Sequence, residues 1–269
     1  MENNIKYLKK SNISLIINIR RILVMMFLIA FSLAMFSNDL NDDIKKAESL
    51  YKKGKYKEAA ENYKAILNKG YASPEILYNT GNAYYKMKEY PSAILFYEKA
   101  KKLALNDEDI DNNLTIAMLQ TKDKFETIPE IFIVTWLKNF SNLLSYDNWA
   151  KLFITLLVSF FILLAIYLLA KTNALKKVFF SVSILALTFS IISILLAIYQ
   201  FNQIKNNHFA IVFQPSVTVK SSPEINSTDL FLLHDGTKVQ ILDKIENWYK
   251  VRISNGSLGW IEEEAIEKI

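Results

Sequence analysis

The sequence predicts a multidomain membrane protein: an all-α pair of helical repeats, a two-helix transmembrane hairpin and a C-terminal all-β barrel. Three observations predict it. Residues 149–170 and 178–199 are apolar runs, uncharged past Lys151, each long enough to cross the hydrocarbon core as a helix. YKEAAENYKAI at 56–66 recurs as YPSAILFYEKA at 90–100, a period of 34 residues. Past residue 208 the pattern changes to short alternating strands separated by turn residues.

Charge narrows the function classes. The 269 residues carry a net +5, but residues 150–207 hold five lysines and no acid, while 208–269 hold six basic against nine acidic residues. Residues 38–120 balance at 13 against 13. The basic excess flanks the apolar runs, and a nucleic-acid partner would want it on a folded domain. The chain has no Cys, so disulfides, thiolate metal sites and a Cys nucleophile are excluded. Two His make a His-rich metal centre implausible. No nucleophile–base spacing, carboxylate pair or phosphate loop stands out, so the chain is expected to be no enzyme and to need no cofactor. Glu262, Glu263 and Glu264 read as a solvated acidic face.

Residues 1–37 read as a signal peptide or N-terminal anchor. Lys6, Lys9, Lys10, Arg20 and Arg21 lead into ILVMMFLIAFSLAMFS, and cleavage is expected near Ala30-Phe31-Ser32 or Ser32-Leu33-Ala34. The basic lead stays inside and the chain emerges outside.

Residues 38–122 form the repeat domain. Tyr56 matches Tyr90, Ala59 matches Ala93 and Tyr63 matches Tyr97. Small residues at Ala47, Ala59, Gly81, Ala93 and Ala100 let paired helices approach, while Tyr, Leu and Ile fill the space between pairs. Gly54-Lys55 and Lys88-Glu89 are the turns; Asn41 or Asp42 caps the first helix, and Ser73, followed by Pro74, the third. Residues 107–122 read as a capping helix with Ile110, Leu114, Ile116, Ala117 and Leu119 inward. The pattern resembles tetratricopeptide repeats, more closely over 74–105 than over 40–71, where Ile44, Ala47 and Leu50 stand opposite Tyr78, Gly81 and Tyr84. The resemblance implies a concave peptide-binding face at Lys45, Glu48, Lys52, Tyr78, Asn79, Asn82, Tyr85 and Lys86, with Asn79 and Asn82 on a bound backbone. For each of these a solvated polar face is the competing reading.

Residues 123–148 read as an amphipathic linker lying in the outer interface, its Trp136, Tyr146 and Trp149 at headgroup depth; packing against the repeats is the alternative. Residues 149–170 and 178–199 are the spans, joined by a cytoplasmic loop, 171–177, bearing Lys171, Lys176 and Lys177. Both flanking modules then share the outer face. Ser181, Ser183, Ala186, Ser190, Ser193 and Ala197 permit close packing of the second span.

In residues 208–269, VTVKSSP (217–223), DGTKV (235–239), NWYKV (247–251) and NGSLGWI (255–261) follow one another in the order of a bacterial SH3-like barrel, which they resemble. Relatives of such barrels imply cell-wall or peptide binding. Trp248 and Tyr249 are the candidate ligand residues, though two of Trp248, Tyr249 and Trp260 are expected in the core. His234 reads as a solvent-facing turn residue.

The whole order of modules, and the stretches YNTGNAYYKMKEYPSAILFYEKA, VKSSPEINSTDLFLLHDGTKV and WYKVRISNGSLGWI, resemble the BatE family of bacterial aerotolerance-operon membrane proteins. That resemblance implies a multi-pass protein of the bacterial inner membrane with both modules in the periplasm. It further implies a non-catalytic scaffold beside von Willebrand-type membrane proteins and a MoxR-type ATPase. The rival expectation is an envelope sensor whose barrel binds peptidoglycan.

Overall fold

The computed structural model describes residues 40–125, 131–206 and 208–269. The leading segment expected at 1–37 lies outside them. The chain divides into two compact units, Met1–Ala72 and Ser73–Ile269.

In the first unit, α1 (40–52) and α2 (Tyr56–Asn68) make the first helical pair. Gly54 turns it at φ +76, a left-handed conformation that favours glycine. Ala47, Ala59, Ala60, Tyr63 and Ile66 are buried, the small and large positions the repeat period picks out. Asn41 and Asp42 are already helical, so neither is the cap expected of them.

The second unit opens with α3 (Pro74–Lys86), α4 (Tyr90–Leu103) and α5 (Glu108–Met118). The Ser73 hydroxyl accepts from the Ile76 N–H at 3.2 Å, with Pro74 at the first helical position, where a missing N–H costs nothing. A Cβ at Gly81 would stand 2.7 Å from the Tyr97 ring, so the close approach of α3 and α4 needs glycine there. Asp107 caps α5 by accepting from the Asp109 and Ile110 N–H groups. Ile110, Leu114 and Ala117 are buried at i, i+4 and i+7, but Ile116 and Leu119, expected inward, are 44% and 65% exposed. At about 100° per residue both fall outside that stripe.

One amphipathic helix, α6 (Phe132–Ser141), occupies only part of the expected 123–148 linker. Two long apolar helices follow, α7 (Tyr146–Leu169) and α8 (Asn173–Asn206). The expected loop at 171–177 shrinks to 170–172, because the Thr172 hydroxyl accepts from the Leu175 N–H and starts α8 early. Lys176 and Lys177 therefore sit on the first turns of α8. Its far end also overruns residue 199, since nothing through Asn206 breaks the helix. Ser183, Ser190, Ser193 and Ala197 are buried, and the Ser190 hydroxyl donates to the Phe153 carbonyl of α7. Trp149, expected at headgroup depth, is buried against Leu196 and Ala197, its Nε1 donating to the Ser141 carbonyl at 2.7 Å.

The remainder is a seven-stranded antiparallel sheet in the order β3-β2-β6-β5-β4-β1-β7. The strands are β1 (His208–Val212), β2 (Ser216–Lys220), β3 (Asp229–His234), β4 (Lys238–Ile245), β5 (Trp248–Arg252), β6 (Leu258–Glu262) and β7 (Ile266–Lys268). Val219, Leu233, Val239, Tyr249, Val251 and Ile261 fill its core. A Cβ at Gly259 would lie 2.3 Å from a Val219 methyl, so β2 and β6 cross closely only because that position is glycine.

Candidate protein-interaction site

The residues expected on the concave face have separate fates. On α3 the Tyr78 and Asn82 side chains face α5: the Asn113 amide donates to Tyr78 Oη at 2.7 Å and to Asn82 Oδ1 at 3.1 Å. The Tyr97 hydroxyl donates to the same Asn82 oxygen at 2.7 Å. Asn82 therefore spends its acceptor holding α3, α4 and α5 together. Tyr85 packs on Tyr90, rings 5.7 Å apart. Asn79 is half-buried and Lys86 exposed. Lys45, Glu48 and Lys52 lie along α1, with Glu48 half-buried and both lysines exposed.

In the barrel, Tyr249 is 2% and Trp260 9% exposed. The Tyr249 hydroxyl donates to Glu263 at 2.7 Å, and the same carboxylate pairs with Lys244 at 2.7 Å. The Lys244 bond, then the Tyr249 hydroxyl, hold the Glu263 carboxyl below its usual range, and Glu263 in turn raises Lys244. Glu263, expected on a solvated face, thus ties β4 to the end of the sheet. Trp248 is the half-buried aromatic left on the surface.

The sequence gives no warning of the joint between the helical module and the barrel. Ile211 of β1 is fully buried in one cluster with Ala93, Ile94 and Tyr97 of α4 and Leu114 and Ala117 of α5. Around this shared core, Glu98 pairs with Lys238 at 2.7 Å, and Lys102 donates to the main-chain oxygen of Ile269 at 2.9 Å. The second contact is the β3–β4 turn. Asp123 Oδ2 accepts from the His234 N–H and the Thr237 hydroxyl, both at 2.7 Å. Asp123 Oδ1 lies 2.7 Å from His234 Nδ1, and Lys122 Nζ 2.8 Å from Nε2. His234 is therefore not the solvent-facing residue expected: its side chain is 15% exposed. Gly236, at φ +81 in the same turn, packs so tightly that a Cβ would lie 2.4 Å from Thr121 Cγ2. Burial alone would push the Asp123 carboxyl up. The bonds from the His234 N–H, the Thr237 hydroxyl and the His234 ring outweigh it and hold the group below its ordinary value.

Between α5 and the barrel the joint leaves an open groove of about 920 Å³. Met118 and Leu119 offer exposed apolar surface to it, and Phe125, packed on the barrel core, lines it as well. Arg252 of β5 also lines it, as do Lys101 of α4 and Asp111 of α5, paired with each other at 2.6 Å. Apolar anchors beside charges of both signs suit an extended peptide better than a small apolar ligand. The groove is built from both modules, and no motif in either one announces it.

Comparison with known families agrees with this architecture. A tetratricopeptide repeat model matches residues 44–108 and a bacterial SH3 domain model matches residues 215–267. The chain thus carries a tetratricopeptide helical-repeat region followed, beyond two long apolar helices, by a bacterial SH3 domain. No curated protein matches it. Among solved structures, NlpC2 from Trichomonas vaginalis shares 20% identity over 22% of this chain and 23% of that one, at a TM-score of 0.21. An NlpC/P60 family protein from Bacillus cereus ATCC 10987 shares 20% over 26% of this chain and 23% of that one, at 0.20. The chain spans under a quarter of the length of either.

Proposed function

We propose that the protein is a non-catalytic, membrane-anchored scaffold that holds partner proteins against a composite surface of its repeat and SH3 modules. The observation that carries this reading is the groove between α5 and the barrel, which exists only because the two modules share a core. Both modules belong to interaction families, which supports a binding role over a chemical one.

Anchoring follows from α7 and α8, both long and apolar enough to cross a membrane. Ile154, Val158, Phe161 and Ile162 of α7 are each more than half exposed, a surface that suits lipid and not water. Lys171, Lys176 and Lys177 put the short bridge on the cytoplasmic side, and the modules then face outward, in the periplasm of a bacterial inner membrane. The exposed Phe132, Ile133 and Trp136 of α6 lie in the outer interface. By its module order, the natural setting is a BatE-type complex containing von Willebrand-type membrane proteins and a MoxR-type ATPase.

The test is crosslinking and co-purification from native membranes, comparing the intact protein with a Leu119→Glu/Arg252→Glu variant. A discrete set of membrane proteins should be captured by the first and lost from the second. Capture unaffected by the double substitution would refute the groove, and recovery of wall fragments alone would favour peptidoglycan binding through the barrel.

A further inference from the structure

The groove between α5 and the barrel holds three carboxylates, and each is spent within the protein. Glu98 pairs with Lys238 at 2.7 Å and Asp111 with Lys101 at 2.6 Å. Asp123, its side chain 10% exposed, is closed in by the His234 N–H and the Thr237 hydroxyl, both at 2.7 Å. Two cations of the same lining are left over. Arg252 is exposed, and no carboxylate among the described residues pairs with it. Lys124 is exposed too. Its ammonium donates to the Met118 main-chain oxygen at 2.8 Å, a neutral acceptor that leaves the charge uncompensated. The charge that the groove offers to a visitor is therefore positive.

A second, independent feature lies in the same lining. The helix that closes a repeat stack ordinarily turns a polar face outward. Here α5 and its C-cap carry Met118 and Leu119, 40% and 65% exposed, into the groove. The Lys124 bond to Met118 sets one of the free cations directly beside this apolar surface. At about 920 Å³ the groove has room for several residues and not for one side chain alone.

We propose that the groove takes an extended acidic segment of a partner protein. Its aliphatic side chains rest on Met118 and Leu119, and a carboxylate meets the Arg252 guanidinium, with Lys124 adding to the attraction. The inference rests on the groove being the binding surface of the proposed scaffold, and it names the chemistry of what binds there. A guanidinium presents its donors as a fork matched to a carboxylate, so Arg252 supplies direction as well as charge. The same two cations repel a basic segment, which is selection against the wrong partner.

The experiment uses the full chain in phosphatidylcholine nanodiscs and follows fluorescence anisotropy of an acetylated, amidated heptapeptide of alternating glutamate and leucine. Counterparts with glutamine or lysine in place of glutamate are the comparison. The glutamate peptide should bind at least tenfold more tightly than the glutamine one, about the effect of one charge-assisted hydrogen bond, and the lysine peptide should not bind. Arg252→Gln, at an exposed site without a partner, should erase the preference for glutamate, and Arg252→Lys should keep part of it. Arg252→Glu/Lys124→Glu should turn the preference toward the lysine peptide. Leu119→Gln should weaken the glutamate and glutamine peptides alike. Equal binding of those two peptides by wild type, still weakened by Leu119→Gln, would overturn the acidic partner and leave the groove standing. Failure of every peptide to bind, or binding indifferent to Arg252 and Leu119, would overturn the inference, and crosslinking with the Leu119→Glu/Arg252→Glu variant then decides the groove separately. Arg252-dependent binding of soluble muropeptides in place of the glutamate peptide would overturn the protein partner.

Discussion

Replacing Asp123 by alanine removes the clamp between the helical module and the barrel. The wild-type side chain is 10% exposed and makes three contacts of 2.7 Å, with the His234 N–H, the His234 ring and the Thr237 hydroxyl. Hydrogen bonds to a charged group contribute about 1.5–3 kcal/mol each, but they are not additive, and the carboxylate's own desolvation offsets part of the sum. Deleting one partner of such a buried group costs about 3–5 kcal/mol, because the other donors are left unsatisfied. We therefore expect Asp123→Ala to cost about 3 kcal/mol, which lowers His234 amide protection in hydrogen exchange by about a hundredfold. Asp123 titrates below its ordinary value, so its stabilising effect is present above the unfolded-state pKa of about 3.9 and is lost as pH falls through the lower folded-state value. The deficit of the variant should be full at neutral pH and shrink below about pH 4. His234 amide protection that changes less than threefold in Asp123→Ala, or a deficit that grows on acidification, would refute the clamp.

Gly236→Ala should weaken the same joint by about 2–3 kcal/mol, since the new methyl meets Thr121 and the backbone is left-handed; urea unfolding in mild detergent measures it. Tyr97→Phe should cost about 1 kcal/mol in the same assay by removing the donor to Asn82. On this Cys-free background, membrane-impermeant thiol reagents should modify Asn255→Cys and spare Asn173→Cys in intact cells, and the reverse labelling would invert the topology.

What was legible in the sequence, and what was not, follows the range of the forces involved. The 34-residue period locates the helical pairs because each small residue, Gly81 above all, answers to a ring one helix away. The cap at Ser73 is written in two adjacent residues. The tight strand crossing at Gly259 is local as well. By contrast, Asp123 reads as one acid in a mixed-charge linker, and only the fold brings it to His234, 111 residues on. Ile211 reads as part of a lead-in to the barrel, yet its burial is in the helical core. Asn82 looks like a ligand residue because sequence shows its face and not Asn113 opposite. The start of α8 is obscured for a smaller reason: Thr172 is a capping residue among the lysines of the bridge, and charge alone sets the boundary beyond it.

The shared core changes how the proposed scaffold would work. Two modules on flexible tethers gain from effective concentration, and the gain depends on linker length. Here Ile211, Glu98–Lys238 and the Asp123 clamp remove that freedom, so a partner of the proposed scaffold would meet one preformed surface with no ordering of modules on binding. It follows that deleting either module exposes Ile211 or its α4 partners to water and damages the module that remains. Truncations of residues 40–120 should therefore lower the stability of the barrel, and point substitutions in the groove separate loss of binding from loss of fold. If the isolated barrel, residues 208–269, unfolds at the same urea concentration as the barrel tryptophans of the full chain, the shared core contributes nothing and the modules are independent after all.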